Sequence, residues 1–155
     1  RTLASHVSKF ISTSGVLGTV PHESAGENGG SIPHWKFYGI QTYAADRWSI
    51  TFSENWISDG RLNTQYIQCT AGSCPVPTAN SPTVNNNFIP GAFYFNVGGT
   101  FNLNENWQLF GRIDNVTNVD PPPIASAAPN TAMGVNPVLY DTIGRLYRIG
   151  IRVNM

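Results

Sequence analysis

Charged side chains stand at even spacings near the end of this sequence: Arg112 and Asp114 in "WQLFGRID", and Arg148 and Arg152 in "LYRIGIRVNM". Residues an even number apart share one face of an extended strand. The pattern therefore offers ion pairing across neighbouring strands, Asp114 with Arg112 or Arg148, on a face that meets water. Nothing else in the chain suggests a reaction. His6, His22 and His34 lack metal-ligand spacing to one another. Serines and aspartates are plentiful, yet no G-x-S-x-G nucleophile motif occurs. The expectation is a protein without catalytic residues, metal ligands or cofactor, and not an enzyme. His22 and Glu23 lie in a loop-like stretch, where they could touch a ligand or simply be solvated.

The remaining chemistry is that of sulfur. Cys69 and Cys74 sit in "QCTAGSCPVP", whose Gly, Ser and Pro content reads as loop. So short a ring suggests a local disulfide and an oxidising compartment such as a periplasm or cell surface. Two free thiols in a reducing compartment are the alternative. Charge is scarce: Asp, Glu, Lys and Arg make up 12% of the residues and their formal charges cancel, against about 25% charged residues in an average soluble domain. A neutral chain has no electrostatic footprint for nucleic acid. No stretch has the length of a membrane-spanning helix, and "RTLASHVSKF" has no apolar signal-peptide core. If the protein meets a membrane, strands must do it.

Strands are what the periodicity predicts. Six segments, at 2–11, 33–44, 47–58, 92–103, 107–117 and 146–155, alternate apolar and polar residues or lie between turn signals. In the last, Tyr147, Ile149, Ile151, Val153 and Met155 oppose Arg148, Gly150, Arg152 and Asn154. In the fourth, Phe93, Phe95, Val97, Phe101 and Leu103 oppose Tyr94, Asn96, Thr100 and Asn102. Trp48, Ile50, Phe52 and Trp56 form an apolar row interrupted by Glu54, and Phe110 is the apolar exception on the polar row of the fifth segment. The first two segments alternate poorly. Segments of this length match the roughly 9–11 residues of a tilted bilayer-crossing strand.

The connections differ in kind. "AADRW" and "LNENW" are hairpin turns, whereas the other three connections are long and rich in Gly, Pro, Ser and Asn. Short turns on one side and long loops on the other characterise outer-membrane barrels. Aromatics fall at both strand ends: Trp48 and Trp107 follow the short turns, while Trp35, Trp56, Phe93 and Tyr147 lie beside long loops. Two such belts suit two membrane interfaces. The competing reading is a soluble or cell-surface β-sandwich ligand-binding module, with the aromatics and isoleucines inside and the arginines wet. Inside hydrocarbon an open six-stranded sheet leaves backbone groups unpaired. The membrane reading therefore makes residues 1–155 a piece of a larger barrel, or several copies must complete one.

Two stretches carry a family resemblance. "RIDNVTNVDPPP" and "LYDTIGRLYRIGIRVNM" resemble the C-terminal end of TonB-dependent outer-membrane receptors. The family's pattern after the penultimate strand is carried by Asn115, Val116, Asn118 and Pro121. Its lead into the last strand is carried by Tyr140, Asp141, Gly144 and Arg145, continuing through Tyr147, Gly150 and Arg152. "AGENGGSIPHWK" and "WSITFSENWISDG" are similar to the preceding hairpin. The resemblance implies an all-β fold of antiparallel up-and-down strands, the final six of a 22-stranded transmembrane barrel, with the plug domain absent from this chain. It also implies an integral bacterial outer-membrane location and uptake of a scarce nutrient, such as an iron–siderophore complex. The implied partners are outer-membrane lipid, a small extracellular ligand, and the TonB complex through the missing N-terminal region. The family ends on an aromatic residue where this chain has Met155. Trp35, Trp56, Tyr66 and Phe88 are possible ligand contacts in that frame.

Overall fold

Alternating side chains need a sheet with two different faces, and the chain builds one. The computed structural model describes residues 1–124 and 134–154. Its main strands are β1 (Thr2–His6), β2 (Trp35–Ala44), β3 (Trp48–Ile57), β4 (Ala92–Asn102), β5 (Trp107–Asp114) and β6 (Leu146–Val153). They pair antiparallel in chain order as one six-stranded sheet, with β1 and β6 at its edges. The sheet is not closed, and no helix occurs among the described residues. The fold is all-β.

The first segment is shorter than the alternation suggests. β1 ends at His6, and the chain pairs next at Ile11–Ser12 with His22–Glu23 in a hairpin of its own. Val7 N–H still bonds the His34 carbonyl at 2.9 Å, and after it the backbone leaves the main sheet. The fifth segment stops at Asp114 rather than continuing to 117, because Asn115 adopts a left-handed φ of 49°. Asparagine tolerates that region better than most residues with a Cβ. Met155, expected to end the last strand, lies outside the described residues.

Register sorts the side chains. Trp56 stands between Phe37 and Phe93, Phe52 between Gln41 and Val97, and Ile113 between Val97 and Tyr147. One face thus gathers Trp, Phe, Val, Leu and Ile across β2 to β6. Nothing in the described chain covers it: Ile149 is 89% exposed and Tyr147 65%. On β3 to β6 the opposite face carries mainly Ser, Thr, Asn, Gln and Arg, while β1 and β2 place Leu3, Tyr38 and Ile40 on it. Among the described residues the apolar core of a sandwich, between two stacked sheets, does not form. Instead a small buried cluster of Ile57, Ile89, Ala92, Tyr94, Ile124, Leu139 and Tyr140 sits at the long-loop end, on the polar-face side. Short pairings tie the loops there, Gly60–Arg61 with Phe88–Ile89 and, in parallel, Ile67–Gln68 with Thr83–Val84.

The two departures from alternation have local causes. Phe110 lies on the polar face because its ring covers Gly150: a Cβ at that glycine would come within 2.5 Å of a ring carbon. Glu54 stands in the apolar row opposite Gly39, whose missing side chain leaves room for the carboxylate.

Candidate functional site

The polar face carries several separate cross-strand hydrogen bonds between side chains. Thr42 meets Thr51 at 2.9 Å, Ser49 meets Thr100 at 2.7 Å, and Asn96 Nδ2 donates to Ser53 Oγ at 3.1 Å. Arg152 Nη1 donates to Gln108 Oε1 at 3.1 Å, and Gln108 Nε2 donates onward to Asn102 Oδ1 at 2.8 Å. Toward the loop end, Arg112 Nε donates to Asp114 Oδ1 at 2.6 Å and Arg148 Nη2 to Asp114 Oδ2. One carboxylate thus holds two guanidiniums. Both arginines are about half exposed, so each pair contributes only ~0–1 kcal/mol in water.

The two motif stretches meet above this face. Asn115, 1% exposed, donates from Nδ2 to the Val119 carbonyl at 3.0 Å and to Asp141 Oδ2 at 3.1 Å. Its own N–H bonds Asn96 Oδ1 at 2.8 Å. Asn118, also left-handed, accepts the Arg145 N–H at 3.1 Å. Gly144 takes a φ of +81° beside it, a conformation glycine adopts without steric cost. Asp141 Oδ1 receives the Ile143 N–H at 3.0 Å. Asn115, Asn118, Asp141, Gly144 and Arg145 therefore form one clasp that aims β6 back onto the sheet. Pro121 lies beyond Val119 and takes no part in these bonds.

Tyr140 belongs to a second buried group. Asn28 Nδ2 donates to its hydroxyl at 2.8 Å and to the Ser58 carbonyl at 2.9 Å. Asn136 Nδ2 donates to the Asn28 carbonyl at 2.8 Å and Ser31 Oγ at 2.9 Å. Burial pushes the Tyr140 phenol above its usual range, so it stays neutral at any physiological pH. Asn28, Asn136 and Asn87, which closes on the Asn63 and Tyr66 carbonyls, were not singled out in the sequence. Their loop setting reads as solvated, and only their remote partners bury them.

His22 and Glu23 serve the loops. His22 Nδ1 lies 2.8 Å from Gln65 Oε1 and Nε2 2.7 Å from Glu27 Oε1, which also receives the Thr64 N–H at 2.6 Å. Glu23 Oε1 accepts the N–H groups of Phe10 at 2.7 Å and Ala25 at 3.0 Å, and those bonds hold its carboxyl below the usual range. Cys69 and Cys74 are disulfide-bonded, their Cα atoms 5.3 Å apart. The belt aromatics Trp35, Trp48, Trp56, Phe93, Trp107 and Tyr147 all stand on the apolar face and are exposed. Trp35 stacks on His6 with ring centroids 4.1 Å apart, and Trp48 leans on Tyr43 at 5.3 Å. Phe88 lies opposite Arg61 in a loop pairing, and Tyr66 lends its carbonyl to Asn87. Among the described residues no three His, Cys, Asp or Glu side chains converge as a metal site. The chain matches no family model, no curated protein and no solved structure.

Proposed function

We propose that this chain is the C-terminal part of an outer-membrane active-transport receptor of the TonB-dependent kind, taking up a scarce nutrient. The observation that carries the reading is the uncovered apolar face, continuous across five strands, backed by a face of hydrogen-bonded polar side chains. A water-soluble protein has every reason to bury such a face. A bilayer rewards leaving it open, because hydrocarbon meets it on one side and a wet lumen meets the other. From Trp48 to Trp56 the strand climbs eight residues, about 27 Å along its axis and roughly 20 Å in height at a tilt near 40°. That is close to the ~25 Å apolar band of such barrels. Loops bonded to one another at one end, and two short turns at the other, agree with an outer and an inner side. In this reading the unpaired edges of β1 and β6 join strands supplied by sequence outside these residues.

The test is fractionation of the protein that carries this chain. The expected result is recovery in the outer membrane, resistance to carbonate extraction, and a faster-migrating band in unheated detergent gels that shifts on boiling. Recovery in a soluble fraction without detergent would overturn the reading.

A further inference from the structure

At the loop end the apolar face runs past its aromatic belt into a cavity of about 980 Å³. His6 and Trp35, cross-strand partners stacked with ring centroids 4.1 Å apart, line it from the strands. Ser58, two residues beyond Trp56, also lines it, and its Oγ accepts the Trp35 N–H at 3.2 Å. Lys9, Glu23, His34, Asp59 and Arg61 complete the ionisable lining. His34 is already engaged, its Nδ1 lying 2.9 Å from the Val7 carbonyl. The size is that of a ligand site, roughly 300–1,000 Å³.

The charges in this cavity balance without pairing. Lys9 and Arg61 face Glu23 and Asp59 around one opening, yet among the described residues Lys9, Asp59 and Arg61 make neither an ion pair nor a side-chain hydrogen bond. Glu23 gives Oε1 to two backbone N–H groups and leaves Oε2 open. On the polar face, by contrast, Asp114 closes on both neighbouring arginines. An anion entering the cavity would meet two carboxylates, and a cation would meet two cations. A zwitterion answers both pairs. Phosphoethanolamine is one: its phosphate takes charge-assisted bonds from Arg61 and Lys9, and its ammonium donates to Asp59 and to Glu23 Oε2. The position beside a belt tryptophan is headgroup depth, and acyl chains leaving it meet the row of Phe37 and Trp56 below. We propose that the cavity seats the phosphoethanolamine headgroup of a membrane lipid. The inference rests on the membrane part of the receptor reading.

Native mass spectrometry of the detergent-solubilised protein carrying this chain tests it, with phosphatidylethanolamine, phosphatidylglycerol and phosphatidylcholine of matched acyl chains added in turn. Phosphatidylglycerol lacks the ammonium, and the quaternary nitrogen of phosphatidylcholine has no N–H to donate. Preferential retention of phosphatidylethanolamine over both is expected. Arg61→Gln and Asp59→Asn each remove one pole from an exposed side chain that bonds nothing in the fold. Each is expected to cut that preference about fivefold, the worth of one partly exposed ion pair. Glycerophosphoethanolamine, the headgroup without chains, is expected to compete poorly. The inference fails if phosphatidylethanolamine and phosphatidylcholine are retained alike, if either variant keeps the parent's preference, or if the chainless headgroup competes as well as the lipid. Fractionation judges the receptor reading independently: an outer-membrane protein with no such preference loses this inference alone.

Discussion

Glu23 holds two backbone amides on one carboxylate oxygen, and that makes the Ile11–Ser12 hairpin sensitive to acid. Its folded pKa lies below the reference value of 4.5. A group depressed in this way adds stability that is fully present above its unfolded pKa and is lost as pH falls through the folded one. Hydrogen-exchange protection of the Phe10 and Ala25 amides should hold steady above pH 4.5 and fall below it. Glu23→Gln keeps an acceptor oxygen and should flatten that dependence, so a profile unchanged by the substitution would refute the assignment. At this scale the sequence was partly legible. The Asp114 pairing could be read from even spacing alone, and so could the short reach between Cys69 and Cys74. The roles of Asn28, Asn87 and Asn136 could not, since a loop asparagine is buried or solvated according to partners tens of residues away.

Elements were legible where alternation was strong. β3 to β6 follow the period-two pattern to within a few residues, because one predominantly apolar face favours a single register. β1 was overextended, since "HVSKFIS" contains no Gly or Pro to mark where the chain leaves the sheet. That exit is decided by pairing with His22–Glu23, a distant contact. The two faces also carry opposite expectations for substitution. Ile149 lies mid-strand on the apolar face and Arg148 on the polar one. In the intact protein unfolded by urea from phospholipid bilayers, Ile149→Arg should cost about 2–4 kcal/mol, the penalty for arginine at lipid midplane. Arg148→Gln should cost at most ~1 kcal/mol, that of one exposed ion pair. A sheet whose apolar face met water would give the reverse ordering, because a residue as exposed as Ile149 could become arginine within ~0.5 kcal/mol.

For the whole molecule, alternation specifies how strands pair within the chain but says nothing about what lies beyond β1 and β6. Both edge strands present unpaired N–H and C=O groups, and β6 adds the exposed Ile149 and Ile151 on the apolar face. The devices that blunt natural sheet edges, such as proline or inward charge, are absent from β1 and β6 apart from the arginines of the polar face. The disulfide and the buried asparagines lie at the loop end and do not pair the outer backbone groups of these edge strands. Residues 1–155 expressed alone should therefore collect in the insoluble fraction, dissolve in urea, and on dilution into detergent recover β-sheet circular dichroism while remaining polydisperse by light scattering. In detergent-free buffer they should aggregate. A monodisperse, detergent-free monomer with a cooperative melting transition would mean that the apolar face and both edges satisfy themselves within the chain, and the membrane account would fall with that result.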